Sequence, residues 1–286
     1  SISYDGTVRL WNTEDLSQPS VSLEAGGSLL CTSWSPGGTW FVTGLSDCTA
    51  RIWSTDPPKL VQILRGHKAV VGTVGWSHSG TKIVTGSTDG TARLWDFDPK
   101  YKFWVCKHVL VMNPTEKKTT SHSQVTMVQW SLDDRYVFTA VQNADLKVWD
   151  AQTGQLVHVL KSHTRQIFVL DTHPTDPRIM LSAGYDGMII LWNVETGQPI
   201  KVFIEDEHTM TDGGFSSSGS FFGIADIEGY FHLYGTGDQL RRAPVEQFFS
   251  NDYAPLMRDE HGYVIDEEHQ IAPHLIPKRP LCDSYN

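Results

Sequence analysis

Two sets of residues carry the atoms from which a nucleophilic centre is usually built. His67, Thr85, Asp89 and Trp95 form the first, and His163, Ser182, Asp186 and Trp192 form the second. A histidine set between a hydroxyl and a carboxylate is the acyl-transfer arrangement, in which the imidazole takes the hydroxyl proton and the carboxylate orients the imidazole. Here the same residue types return at nearly the same spacing, and a catalytic centre does not normally recur once per repeat. The recurrence favours a hydrogen-bonded chain in which a turn Asp holds a loop His, the His holds the hydroxyl, and the hydroxyl holds the Trp indole. Every buried polar group in such a chain has a partner. The eight residues are therefore expected to be structural tetrads, and no catalytic, cofactor-binding or metal-ligating set is predicted. The pattern decays elsewhere. Asn143 takes the Asp position beside His122 and Thr139. Thr43, Asp47 and Trp53 have no His, and Glu228 and Tyr234 replace Asp and Trp near the end of the series.

The elements that must position these residues are short strands. Ile83 and Val84 lead into Asp89-Gly90, and Ala92, Leu94 and Trp95 lead out. Asp-Gly between apolar runs is a hairpin signal, because the turn requires φ > 0. The phrase ends successively at Trp11, Trp53, Trp95, Trp149, Trp192 and Tyr234, with gaps of 42, 42, 54, 43 and 42 residues. A period of about 40–45 residues with a Gly-His opening and a Trp-Asp ending resembles WD40 repeats, one propeller blade each. The expected fold is all-β: a WD40 β-propeller in a partial ring, with about five complete blades plus a half blade, and an irregular C-terminal tail. Residues 1–237 are assigned to the repeats and 238–286 to a post-propeller linker. The long gap is assigned to a polar surface insertion over 112–123. The first residue, Ser1, falls inside a repeat. The strands needed to close the ring are expected before it, and the isolated arc is expected to carry an exposed edge.

Composition narrows the function classes. The chain has 286 residues, 40% of them hydrophobic and 20% charged, with a formal net charge of −10. That charge argues against a surface devoted to neutralising nucleic-acid phosphate. No apolar run reaches the length of a membrane span. The four Cys, at 31, 48, 106 and 282, show neither CxxC nor paired His spacing. This argues against a zinc site and against a disulfide framework. Cys31 and Cys48 are expected in strands as small buried hydrophobes. No phosphate-binding glycine motif is present.

Arg9, Arg51, Arg93 and Lys147 each lie two residues before a strand-ending Trp. They read either as a phosphate-binding stripe or, more simply, as a solvated strand face. Recognition in propellers is usually built on loops. Tyr4, Ser46, Thr88, Gln142 and Tyr185 precede the turn acid, and Lys68, Val70, Arg165 and Gln166 follow the loop His. Both groups are expected on one face around the central channel. They are either a protein-binding face, for which Tyr and Arg are suited, or ordinary loop residues.

A more specific resemblance comes from the tail. Gln247-Phe248-Phe249-Ser250-Asn251-Asp252-Tyr253-Ala254-Pro255-Leu256-Met257-Arg258-Asp259 and Gln270-Ile271-Ala272-Pro273-His274-Leu275-Ile276-Pro277 resemble the segment that follows the repeats in the bromodomain-and-WD-repeat family. Within the repeats, Val125-Thr126-Met127-Val128-Gln129-Trp130 and Ser182-Ala183-Gly184-Tyr185-Asp186-Gly187 resemble the same family. The resemblance implies a non-catalytic interaction scaffold in a nuclear, chromatin-associated regulator of transcription and of cell shape and cytoskeleton organisation. It implies protein or peptide partners, such as histones or other chromatin proteins, with no direct nucleic-acid, membrane or small-molecule partner and no cofactor. An alternative it implies is a substrate receptor docked to the adaptor of a cullin-4 ubiquitin ligase. The endings Trp95-Asp96-Phe97-Asp98, Trp149-Asp150-Ala151-Gln152 and Trp192-Asn193-Val194-Glu195 lack the basic residue used by many such receptors. A propeller hydrolase is the third reading; it requires a Ser/His or carboxylate set that occurs once.

Overall fold

The computed structural model describes residues 1–12, 21–114, 123–205, 208–235, 256–258 and 264–266. All its named elements are strands. The first sheet pairs β1 (Thr7–Leu10) with β2 (Val21–Glu24). Four four-stranded antiparallel sheets follow in chain order: β3 (Leu29–Trp34) to β6 (Pro58–Leu64), β7 (Val71–Trp76) to β10 (Phe103–Val111), β11 (Val125–Trp130) to β14 (Leu156–Leu160), and β15 (Ile167–Thr172) to β18 (Gln198–Ile204). The next sheet holds β19 (Met210–Phe215), β20 (Phe221–Asp226) and β21 (Phe231–Gly235). Within each sheet the strands meander to their nearest neighbours. The first strands β3, β7, β11, β15 and β19 touch one another in that order. This is a partial β-propeller, with first strands toward the axis and fourth strands outward.

Burial explains why these residues form these strands. The second strands β4 (Trp40–Leu45), β8 (Lys82–Ser87), β12 (Tyr136–Val141) and β16 (Ile179–Gly184) are buried from their second residue to their last. They lie inside a sheet that is covered on both faces, so they read as near-continuous apolar runs rather than alternating ones. The fourth strands β14 and β18 are largely exposed. Each core cluster straddles two neighbouring blades. Val42 and Ile52 pack with Val74, Trp76 and Ile83. Val84 and Leu94 pack with Val128, Trp130 and Val137. Phe138 and Val148 pack with Leu170, Met180 and Ile190. Burying each such side chain fully stabilises the fold by about 1.5–3 kcal/mol.

The same irregularity recurs in every first strand. Register shifts occur at Leu29/Cys31, Val71/Thr73, Val125/Met127, Ile167/Val169 and Met210/Asp212. A bulge at this point adds twist and bends the strand entry toward the loop before it. Each entry loop thereby meets the turn between the second and third strands of its own blade.

Some expectations need amendment. Cys48 is not in a strand. It sits in the turn before β5 (Ala50–Thr55) with φ 66°, where Gly90 and Gly187 occupy the matching turns at 79° and 71°. Cys31 does lie in a strand, half-buried in β3, and burial pushes its thiol up to about 12. The insertion is described only at its ends, and His122 lies outside the described residues. The chain divides into two compact units, Ser1–Gly235 and Thr236–Asn286. In the second, expected to be irregular, β22 (Leu256–Arg258) and β23 (Val264–Asp266) form an antiparallel pair in which Met257 faces Ile265.

Candidate functional site

The two tetrads close in space through side chains carried by four elements each: the entry loop, the second strand, the turn after it and the third strand. His67 Nδ1 lies 3.1 Å from Asp89 Oδ2, and its Nε2 lies 2.8 Å from Thr85 Oγ1. The Trp95 indole N–H donates to the same hydroxyl at 3.0 Å. In the fifth blade His163 Nδ1 is 3.0 Å from Asp186 Oδ2, its Nε2 is 2.8 Å from Ser182 Oγ, and Trp192 donates to Ser182 at 2.8 Å. Because the indole can only donate, the hydroxyl accepts from it and is free to donate to His Nε2. That arrangement assigns the imidazole proton to Nδ1, facing the carboxylate. Burial works to raise the Asp89 carboxyl, but hydrogen bonds from His67, Thr91 and the Lys68 amide overcome it and hold the group below its ordinary range. Asp186 is held down in the same way by His163.

This geometry bears on the acyl-transfer reading. Thr85 and Ser182 are 0% exposed. Each hydroxyl is enclosed between an imidazole and an indole, so no substrate carbonyl can reach it.

The remaining blades satisfy the same positions with other chemistry. In the second blade Trp53 donates to Thr43 at 3.0 Å, and the Arg51 guanidinium, rather than a His, meets Asp47 at 2.7 Å. In the fourth, Trp149 donates to Thr139 at 2.9 Å, Thr139 donates to the Met112 sulfur at 3.4 Å, and Lys147 donates to the Met112 carbonyl. Asn143 bonds Asp145. Arg93 donates to the Gly66 carbonyl at 2.8 Å. Arg51, Arg93 and Lys147 are thus each engaged by an entry loop or turn acid. They form neither a free phosphate stripe nor a plain solvated face.

In the sixth blade the carboxylate that meets a histidine is Asp226, two residues before the Glu228 that the turn spacing suggests. Asp226 Oδ1 accepts the Glu228 and Tyr230 amides, while Oδ2 lies 2.7 Å from His208 Nδ1 and 3.1 Å from His232 Nε2. Sequence spacing missed this cluster because its histidines carry no paired spacing. The available signal was that His232 continues the series Arg51, Arg93, Lys147 two residues before the blade-ending aromatic.

The candidate face residues gather at one end of the strands through a recurring hydrogen bond. The amide of the first turn residue donates to the carbonyl just before the first strand of its own blade: Ser46 to Ser28, Thr88 to Val70, Gln142 to Gln124, and Tyr185 to Gln166, at 2.9–3.0 Å. Thr88 is therefore beside Val70, and Tyr185 beside Gln166. The Tyr185 ring stacks on Phe168 with centroids 4.3 Å apart. Tyr4 is 76% exposed, and its carbonyl accepts the Ser28 hydroxyl. Ser46, Lys68 and Arg165 are exposed at the same loop end.

Known proteins give this architecture a family. The WD domain, G-beta repeat family matches residues 18–54, 58–96, 114–150 and 154–193, together more than half of the chain. A bromodomain and WD repeat-containing protein of Dictyostelium discoideum is 36% identical over 178 residues, 58% of this chain and 8% of that protein. The COMPASS component SWD3 of Saccharomyces cerevisiae is 24% identical over 34% of this chain and 34% of its own length. The SIR4-interacting protein SIF2 of the same yeast is 32% identical over 34% of this chain and 17% of its own. The chain thus spans well under two thirds of each of these relatives. With its Trp-ended strands, its four-stranded antiparallel blades and these four matched repeats, the chain belongs to the WD40 repeat family.

Proposed function

We propose that this chain is a non-catalytic protein-interaction scaffold within a nuclear, chromatin-associated regulator of transcription, and that its loop face binds a protein or peptide of chromatin. The observation that carries the reading is the docking of each second-to-third-strand turn onto its own entry loop. It pins Ser46, Thr88, Val70, Gln142, Gln166 and Tyr185 directly, and in this reading Tyr4, Lys68 and Arg165 complete the same face. A preformed face loses little conformational freedom on binding, and Tyr and Arg are the side chains that most often anchor such contacts. The eight tetrad residues act here as the clamp that keeps the turns in place, with no part in chemistry. The likeness to a bromodomain and WD repeat-containing protein and to a COMPASS component supports the chromatin setting. A role in cell shape and cytoskeleton organisation belongs to the same proposal.

The test is binding of histone H3 and H4 tail peptides by fluorescence anisotropy, with Tyr185→Ala and Arg165→Glu as face variants. Loss of a central anchor removes about 2 kcal/mol or more of binding, which is a loss of about thirtyfold in affinity. Unchanged melting in both variants would assign that loss to the face. Absence of binding by the unmodified chain, or undiminished binding by both variants, refutes the proposal.

A further inference from the structure

We propose that His208, Asp226 and His232 form a binding site for a divalent first-row transition ion of the Zn²⁺ class. Their ligand atoms all lie within 4.8 Å of one another, a grouping found at this one place among the described residues. The site does not depend on the scaffold reading above.

The sixth blade departs from the tetrad in a specific way. Register places Ile224 opposite His232, where Ser182 stands opposite Ile190 in the fifth blade. The hydroxyl that absorbs the second nitrogen of His163 is therefore absent, and a second imidazole is brought in. Asp226 ends β20, in the position held by Leu45, Ser87, Val141 and Gly184 in the other blades, all of them buried. A carboxylate at such a point needs strong compensation. Two backbone amides supply part of it on Oδ1, which also fixes the plane of the carboxylate. Its Oδ2 is left facing two ring nitrogens.

The two imidazoles do not use that oxygen alike. His232 Nε2 makes a hydrogen bond with it at 3.1 Å. His208 Nδ1 is closer, at 2.7 Å, and is shut off from water. Both ring nitrogens thus converge on one carboxylate oxygen, which groups three ligand atoms as a single cation would require. The two rings meet edge to face with centroids 4.8 Å apart, and the Tyr230 ring packs edge-on against His208.

Distances are compatible with an ion after small movements. Zn²⁺ binds His nitrogen and carboxylate oxygen at about 2.0–2.2 Å, which in tetrahedral geometry spaces the ligand atoms roughly 3.3 Å apart. The observed nitrogen-to-oxygen separations are shorter by less than 1 Å. The side chains that must move, His208 and His232, are 25% and 20% exposed, while Asp226 is 0% exposed and held by amides. Two imidazoles and one carboxylate leave a coordination position toward solvent, as in zinc sites that keep a water. The amides on Oδ1 are the outer contacts that orient a ligating carboxylate.

The experiment uses the untagged chain and Zn²⁺ alone, followed by isothermal titration, with Co²⁺ as a second probe for its visible ligand-field absorption. One equivalent of Zn²⁺ is expected. His208→Asn and His232→Ile should each weaken it by more than the 10–100-fold that loss of an outer-contact residue costs. The Ile substitution copies the fifth blade at the same register, so it is compatible with the fold. His78→Asn, at an exposed His–Asp pair in another blade, should leave Zn²⁺ affinity unchanged. Failure of the unmodified chain to bind Zn²⁺ overturns the site. So does undiminished binding by both His208→Asn and His232→Ile, or an equal loss in His78→Asn.

Discussion

Replacing Ser182 by Ala separates a structural hydroxyl from a nucleophilic one. Ser182 is wholly buried and joins two groups, accepting the Trp192 indole N–H at 2.8 Å and meeting His163 Nε2 at 2.8 Å. Trp192 is 1% exposed and His163 is 9% exposed, so water reaches neither nitrogen easily. Removal of the oxygen leaves an indole donor and an imidazole acceptor without partners. Each unsatisfied buried group costs about 1–3 kcal/mol, so the variant should lose about 2–6 kcal/mol. The lost volume is one atom, and packing adds little to that figure. The assay is urea unfolding followed by circular dichroism, with the midpoint shift converted at constant slope. A double-mutant cycle isolates the indole bond. In a Trp192→Phe background the donor is already gone, so Ser182→Ala should cost less than in the unmodified chain, with a coupling of about 0.5–3 kcal/mol. A loss below about 0.5 kcal/mol, the range of neutral surface changes, or a cycle with no coupling, would refute the clamp.

Other outcomes follow from the same geometry. His78 and Asp134 join the third and fourth blades, with Asp134 accepting the His78 and Ser79 amides at 2.8 and 2.7 Å. The hydrogen bond to Asp134 raises His78 above its ordinary value. Its contribution is therefore complete below the unfolded pKa of about 6.5 and is lost as pH rises through the folded value. Comparing unfolding midpoints from about pH 6 to about pH 8, the unmodified chain should lose more stability than His78→Ala. Asp186 is held below its ordinary value against burial, chiefly by His163. Its contribution is complete above about pH 4 and fades as pH falls further, so Asp186→Asn should flatten the acid limb of a stability profile. Cys48→Gly should raise the melting temperature, since φ 66° costs a non-glycine residue about 1–2 kcal/mol. Gly187→Ala should lower it, because φ is 71° and an added Cβ would run into the Glu205 carbonyl oxygen.

The repeat plan was legible because it rests on local chemistry. An Asp-Gly turn, a run of apolar residues and a closing Trp are each set within a dozen positions, and Trp95, Trp149 and Trp192 mark their strands directly. The hydroxyl and the turn Asp were legible for the same reason, since Ser182 and Asp186 stand at the same offsets from Trp192 as Thr85 and Asp89 from Trp95, while the more distant His163 shifts by one residue relative to His67. What was not legible depends on loops of altered length. The place filled by His67 in the third blade is served in the fourth by the sulfur and carbonyl of Met112, which the approach of an entry loop determines. The spacing pointed to Glu228, but the residue that faces the histidines is Asp226, because its position at the end of β20 turns it toward the entry loop. Cys48 was misplaced because a left-handed turn position filled by a residue other than Gly, Asn or Asp gives no sequence signal.

The sharing of each core cluster by two blades makes the order of the repeats something the fold can read. The first strands are alike in plan but not in volume: β7 ends in Trp76, β11 in Trp130, β15 in Thr172 and β19 in Phe215. Trp130 is wholly buried at the seam with Val84 and Leu94 of the blade before it. Exchanging the fourth and fifth blades would preserve every turn and every strand length. It would nevertheless set Thr172, the residue that ends β15, where Trp130 ends β11 and fills the seam with Val84 and Leu94. The seams therefore act as an address code, in which each blade accepts one predecessor and rejects the others by shape.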